Sequence, residues 1–226
     1  MLPPAPTLRI AFVPGVTLSK WTTVWKERYP GIPLQIVPIA EADQQHAVSG
    51  SDVDVCFVRL PIDRAGLSVI RLYGEQPVAV VAVDHPLSKK DAVTWADLAD
   101  LPHHRVVTPA TLDLVAAGVG AFTVPHSVAR QASRKDLVAR PISDAGETEI
   151  ALVWRSDDTT SVIEDFVGVV RGRTAASSRG AAVPPPVTPV AGRSGGQKAS
   201  GRTPAKRGAG RPAGAQRTTA SRKKKR

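Results

Sequence analysis

The first 170 residues predict an α/β fold of the doubly wound kind, and three observations carry that expectation. Short apolar runs alternate with helical periodicities, and turn residues punctuate the alternation. The apolar fraction, 42% of 226 residues, is enough for the core of one or two modest domains. Leu8–Val13 is an apolar run ended by Pro14-Gly15, which suits a buried parallel strand. A helix follows, because Leu18, Trp21, Val24, Trp25 and Tyr29 share one face; Thr17 or Ser19 is available as its N-cap, and Pro30-Gly31 stops it. Pro33–Ile39 reads as a second strand, Glu41–Val48 as a helix, and Val53–Arg59 as a third strand entered from the turn Gly50-Ser51-Asp52. Strand, helix, strand, helix, strand in about fifty residues is a doubly wound half-domain with right-handed crossovers.

Two more strands are expected at Leu67–Tyr73 and Pro77–Val83. Thr94-Trp95-Ala96-Asp97 opens a small helix in the manner of a capping box, with Asp in place of Glu. His104–Val107 then reads as a strand, Thr111–Ala117 as a helix closed by Gly118, Val119–Val124 as a strand stopped by Pro125, and Ser127–Ala132 as a short helix. Leu137–Pro141 and Glu149–Trp154 are extended, and Ser161–Val170 is an amphipathic helix whose apolar set is Val162, Ile163, Phe166, Val169 and Val170.

Charge divides the chain. Residues 171–226 carry fifteen Lys and Arg and no acid, which leaves 1–170 with fifteen bases against all twenty acids, a balance of −5. The extension consists of Ala, Gly, Pro, Ser, Thr, Gln, Val, Lys and Arg, too little apolar surface to offset chain entropy, so it is expected to be a disordered basic tail. Unopposed cations bind DNA or RNA without sequence preference and with strong salt dependence. The residues expected to do so are Arg193, Arg202, Lys206, Arg207, Arg211, Arg222, Lys223, Lys224, Lys225 and Arg226. Lys206-Arg207-Gly208-Ala209-Gly210-Arg211-Pro212 resembles an interrupted AT-hook, and Gly192-Arg193, Gly201-Arg202 and Gly210-Arg211 recur every nine residues. As a flexible coil the 56-residue tail would reach roughly 40 Å.

Other classes are excluded by composition. No run approaches the length of a membrane-spanning helix, and Met1–Pro6 has neither the basic start nor the apolar stretch of a secretory signal, so a cytoplasmic location is expected, with nucleoid association through the tail. Cys56 has no second cysteine to pair with and alternates with Val55 and Phe57 in a strand, as a small core residue does. Five histidines are present (His46, His85, His103, His104 and His126), but adjacent His103 and His104 point to opposite faces of a strand, so no metal is expected. No serine sits in a nucleophile elbow, no glycine loop matches a phosphate cradle, and Asp52 and Asp54 read as the end of a turn; no enzyme activity and no cofactor are expected.

The body resembles the effector-binding domain of LysR-type transcriptional regulators. The resemblance rests on Leu8–Val13 with the helix ending at Tyr29-Pro30, on Asp52-Val53-Asp54-Val55, and on Leu72-Tyr73-Gly74-Glu75-Gln76-Pro77 running into Asp84-His85-Pro86-Leu87. It continues through Leu114–Gly120, Val124-Pro125, Ser127-Val128-Ala129 and Thr148–Trp154. It implies a periplasmic-binding-protein-like (type 2) fold over 8–170: subdomain I at about 8–80 and 150–170, subdomain II at about 81–149, and a small-molecule cleft between them. It also implies pairing of such domains, as a homodimer or with a full-length LysR-type regulator. Two departures stand out. The first strand begins at Leu8 with no winged helix-turn-helix before it, and only Thr108–Thr111 bridge Val107 and Leu112, where the family has another strand–helix–strand, so subdomain II is expected to be shortened.

Ligands in such folds sit at strand carboxyl ends and helix starts. The candidate effector-binding residues are therefore Thr17, Leu18 and Ser19 at the first helix, Arg59 at a strand end, and Thr108 on the facing subdomain. The competing readings are that Thr17 or Ser19 merely caps its helix and that Arg59 is a solvated loop charge. The function expected is that of a non-enzymatic, transcription-regulator-like protein with a sensing or partner-docking body and a DNA-binding tail. The alternative is a small-molecule or protein-binding module with no DNA role, its tail only solubilising.

Overall fold

A computed structural model describes residues 6–173. Two sheets organise them. The first is built from β1 (Leu8–Phe12), β2 (Leu34–Pro38) and β3 (Val55–Arg59), parallel in the order β2-β1-β3, as the doubly wound start requires. Helix α1 (Ser19–Arg28) connects β1 to β2; a 3-10 turn and α2 (Gln44–Ser49) connect β2 to β3. The sheet is completed by β4 (Leu67–Glu75) and a late strand, Thr148–Arg155, which enters between β3 and β4 antiparallel to both.

The second sheet holds β5 (Pro77–Ala82), β6 (His103–His104), β7 (Ala121–Pro125) and β8 (Leu137–Pro141) in the order β6-β7-β5-β8; the late strand of the first sheet is β9. Helices α3 (Trp95–Leu98), α4 (Pro109–Ala116) and α5 (His126–Gln131) belong with it, and α6 (Ser161–Val170) returns to the first sheet. The chain changes sheets at Gln76, earlier than the sequence suggests, because Pro77–Ala82 pairs with β7 and β8 rather than with β4. It returns with Thr148.

Each sheet packs its own core. In the larger lobe Trp25, Phe57 and Phe166 are fully buried, with Trp21 stacked on Phe57 at 4.9 Å and Tyr29 on Trp25 at 4.3 Å. These contacts join α1, β3 and α6, elements far apart in sequence. The smaller lobe buries Val78, Val80, Val115 and Phe122 on one face of its sheet and Ala79, Val81, Leu98 and Ile142 on the other. Cys56 is buried in the larger lobe, and desolvation pushes its thiol up to about 12, which makes it an inert core residue.

Local sequence explains several departures from the expected elements. Neither Thr17 nor Ser19 caps α1: Leu18 occupies the N-cap position in a near-helical conformation, with no side-chain cap. The Leu18 carbonyl instead accepts from Trp21 and Thr22 N–H at 3.0 Å each. The strand expected over His104–Val107 is only His103–His104, since the chain then leaves the sheet to enter the cap at Thr108. The strand expected from Val119 starts at Ala121, because Gly118 and Gly120 both adopt positive φ and turn the chain first. Residues beyond Arg173, and with them the basic-tail expectation, lie outside the described residues.

Candidate functional site

The carboxyl ends of β1 and β3 face the smaller lobe, and two features hold them there. Arg59, the last residue of β3, is 3% exposed. A guanidinium cannot be left bare at that depth, and its terminal nitrogens are matched by carboxylates: Glu75 at 2.7 Å, itself 8% exposed, and the more open Glu41 at 3.2 Å. The same nitrogens donate to the Pro14 carbonyl at 3.3 and 3.4 Å, so Arg59 anchors the β1–α1 loop. Gln44 clamps the Arg59 backbone from behind, accepting from its N–H and donating to its carbonyl at 2.8 Å each. Arg59 is thus a buried strand residue, and its reading as a solvated loop charge is corrected: the burial depends on Glu41 and Glu75, which only the folded chain brings to it. Its Nε–H has no partner among the described residues.

The second feature is the approach of α5 to the β1–α1 loop. Gly15 has φ +94°, and a Cβ there would lie 2.1 Å from Ser127 Oγ, so only glycine fits between the lobes at this point. Its N–H donates to Gln131 Oε1 at 3.2 Å. Ser127 Oγ is buried and, like Arg59 Nε, unpaired among the described residues.

Three hollows open along this junction. Gly15, Thr17, Ser127, Arg130 and Gln131 line one of about 190 Å³. Ser127 and Arg130 also border a second, of about 340 Å³, closed by Tyr73, Glu75 and His126. The third, of about 300 Å³, lies between Arg59, Glu41 and Thr148 on one side and Trp95, Arg105 and Thr123 on the other. Desolvation and the neighbouring Glu75 charge push the Tyr73 phenol up, so it remains a neutral hydrogen-bonding group. Every group here is a donor, an acceptor or an apolar wall; no cluster of His, Cys, Asp and Glu able to hold a metal occurs among the described residues.

Of the residues singled out from sequence, Thr17 and Arg59 border these hollows. Leu18 is buried in the larger lobe's core, and Ser19 starts α1 exposed. Thr108 caps α4: its hydroxyl accepts from Thr111 N–H at 3.2 Å and its own N–H donates to Thr111 Oγ1 at 2.9 Å, a reciprocal capping box. Sequence reasoning missed Ser127, Arg130 and Gln131 as candidates. They face Gly15 only because two separate sheets are brought together; the single local hint was the three-residue match at Ser127-Val128-Ala129.

Comparison with known proteins gives the family. The model of the LysR substrate binding domain matches residues 3–110 and 107–175, two pieces that meet at the bridge where the sequence looks shortened. The HTH-type transcriptional regulator BudR of Raoultella terrigena is 26% identical over 196 residues, covering 70% of this chain and 68% of its own. Among solved structures, the BenM effector binding domain with its effector benzoate aligns with TM-score 0.63 and 21% identity, covering 80% of this chain and 96% of that one. Full-length CbnR complexed with its target DNA aligns with TM-score 0.61 and 16% identity, covering 74% of this chain and 70% of that one. These likenesses show the periplasmic-binding-protein-like fold, and the matched relatives are regulators of transcription rather than enzymes. The chain belongs to the LysR substrate-binding domain family.

Proposed function

We propose that the two-lobed body senses a small organic anion at the junction of its lobes, while the Lys/Arg-rich tail holds the protein on DNA without sequence preference. One observation carries the first half. Arg59 Nε–H and Ser127 Oγ are buried polar groups left unpaired at the junction, and buried polar groups normally have partners. A ligand seated in the hollows that Arg59 and Ser127 border would touch residues of both sheets at once and favour the closed arrangement. That BenM binds benzoate in the same fold agrees with this reading. The second half is supported by charge: fifteen cations and no acid after residue 170. Pairing with a second copy or with a full-length LysR-type regulator, and a cytoplasmic, nucleoid-associated location, belong to the same reading.

A thermal-shift screen of the whole chain against metabolite acids tests the body, since a ligand that binds only the folded state raises its melting temperature. Silence across a broad library ends the sensing claim. For the tail, a gel-shift titration compares the chain with a full-length variant whose tail Lys and Arg are Gln. The unaltered chain should lose orders of magnitude in affinity between about 50 and 200 mM salt, and the variant should not bind. Equal affinities would refute the tail's role.

A further inference from the structure

Helix α6 ends in a built cap at the point where the basic tail starts. Gly172 takes φ +75°, the Arg173 N–H donates to the Gly168 carbonyl at 2.9 Å, and the Gly172 N–H donates to the Val169 carbonyl at 3.0 Å. This is a Schellman cap, and it fixes the path by which the chain leaves the helix. The end of α1 is tied to it, because the Arg28 guanidinium donates to the Arg173 carbonyl, 145 residues away in sequence. Three exposed arginines, Arg28, Arg171 and Arg173, are thereby gathered at one corner of the body.

The macrodipole favours a cation at a helix C-terminus, which accounts for one at each of the two ends. It does not account for the missing counter-charge. None of the three is ion-paired with an acid among the described residues. Asp165 lies instead beside the Tyr29 phenol, whose pKa burial and that carboxylate push up. From Arg173 the chain continues into thirteen more Lys and Arg and no acid. A body of net charge −5 repels a polyanion on average. Phosphates brought in by the tail therefore meet the body most favourably at the corner of unopposed cations from which the tail departs.

We propose that this corner is a docking surface for the phosphate backbone of duplex DNA, contacted together by Arg28, Arg171 and Arg173. The body then sits on the duplex in one orientation instead of trailing on a loose tether. This surface extends the tail reading, on which it rests, to the folded body. Arg28 separates the two, since it belongs to α1 and a tail acting alone does not involve it. Phosphate contacts carry no sequence information; they position a protein on the duplex.

The test is a gel-shift salt titration of the full chain on A·T-rich and G·C-rich DNA duplexes and on an RNA duplex, all of one length. Arg28→Glu should weaken DNA binding about tenfold, equally on both sequences, and lower the slope of log affinity against log salt by about one. Arg28→Lys keeps the charge and should stay within about twofold of the parent. Lys89→Glu makes the same charge change at an exposed position of the smaller lobe and should also stay within about twofold. All three side chains replaced are on the surface, so the variants should melt with the parent when no DNA is present. Arg28→Glu binding as tightly as Lys89→Glu overturns the docking surface and leaves the tail as a free tether. Tighter binding to the RNA duplex than to either DNA overturns the choice of partner. If the unaltered chain binds no duplex at any salt, the tail reading falls and the docking surface with it.

Discussion

In the larger lobe, rings from α1, β3 and α6 meet face to face and edge to face, with Phe166 5.6 Å from Trp25 and 6.3 Å from Phe57. In the smaller lobe Phe122 is the one fully buried aromatic among the described residues, surrounded by Val, Ala and Leu, and the sheet ends in the two-residue strand β6. The larger lobe is thus tied across long stretches of chain by large side chains. The smaller relies on local devices: two capping boxes, at Thr94 and Thr108, and short antiparallel strands. The larger lobe presents the buried Arg59, and the smaller lobe brings Trp95, Arg105 and Ser127 to the hollows along the junction.

That contrast can be broken by mutation. Phe166→Ala removes a ring that touches two others and should cost toward 5 kcal/mol, whereas Phe122→Ala should cost nearer 3 kcal/mol, because small neighbours collapse more readily into the gap. Urea denaturation of both variants checks the order, and equal losses would erase the distinction. Next in size, Glu75→Gln strands the buried Arg59 charge and should cost about 3 kcal/mol. Glu41→Gln, at the exposed end of the same cluster, should cost under about 1 kcal/mol by the same measurement. Thr94→Ala and Thr108→Ala should each cost about 1 kcal/mol. Hydrogen exchange should place those losses in the smaller lobe alone.

The smallest expected effect concerns acid. The Lys90 ammonium and the Thr94 backbone N–H hold the Asp97 carboxyl below its ordinary value, and Arg134 does the same for Asp136. A depressed folded value adds stability that is fully present above the unfolded carboxylate range and disappears as pH falls through the folded value. Melting temperature should therefore drop as pH falls below the ordinary carboxylate range, and Asp97→Asn should lessen the drop. An unchanged acid profile would show that these surface pairs contribute nothing to the smaller lobe.

How legible each region was follows from the range of its interactions. Helix α6 stands in the sequence with the bounds the structure gives it, because its stripe from Val162 to Val170 has helical period. The Thr94 box was equally plain, since cap and partner lie three residues apart. Arg59 was not legible as a buried ion: its partners Glu41 and Glu75 lie 18 and 16 residues away, and nothing local marks them. Nor was Gly15 legible as the contact point of the lobes, since Ser127 and Gln131 reach it across more than a hundred residues. Of the site residues expected, Thr108 has its hydroxyl spent on the cap of α4.

Hydrogen exchange of the whole chain, with and without the strongest stabilising acid from the library screen, bears most directly on the claim that one ligand is gripped by both lobes. Exchange should slow in the β1–α1 loop around Gly15 to Thr17 and, in the same sample, in β7 and α5 from Thr123 to Gln131. Protection confined to a single lobe would contradict it.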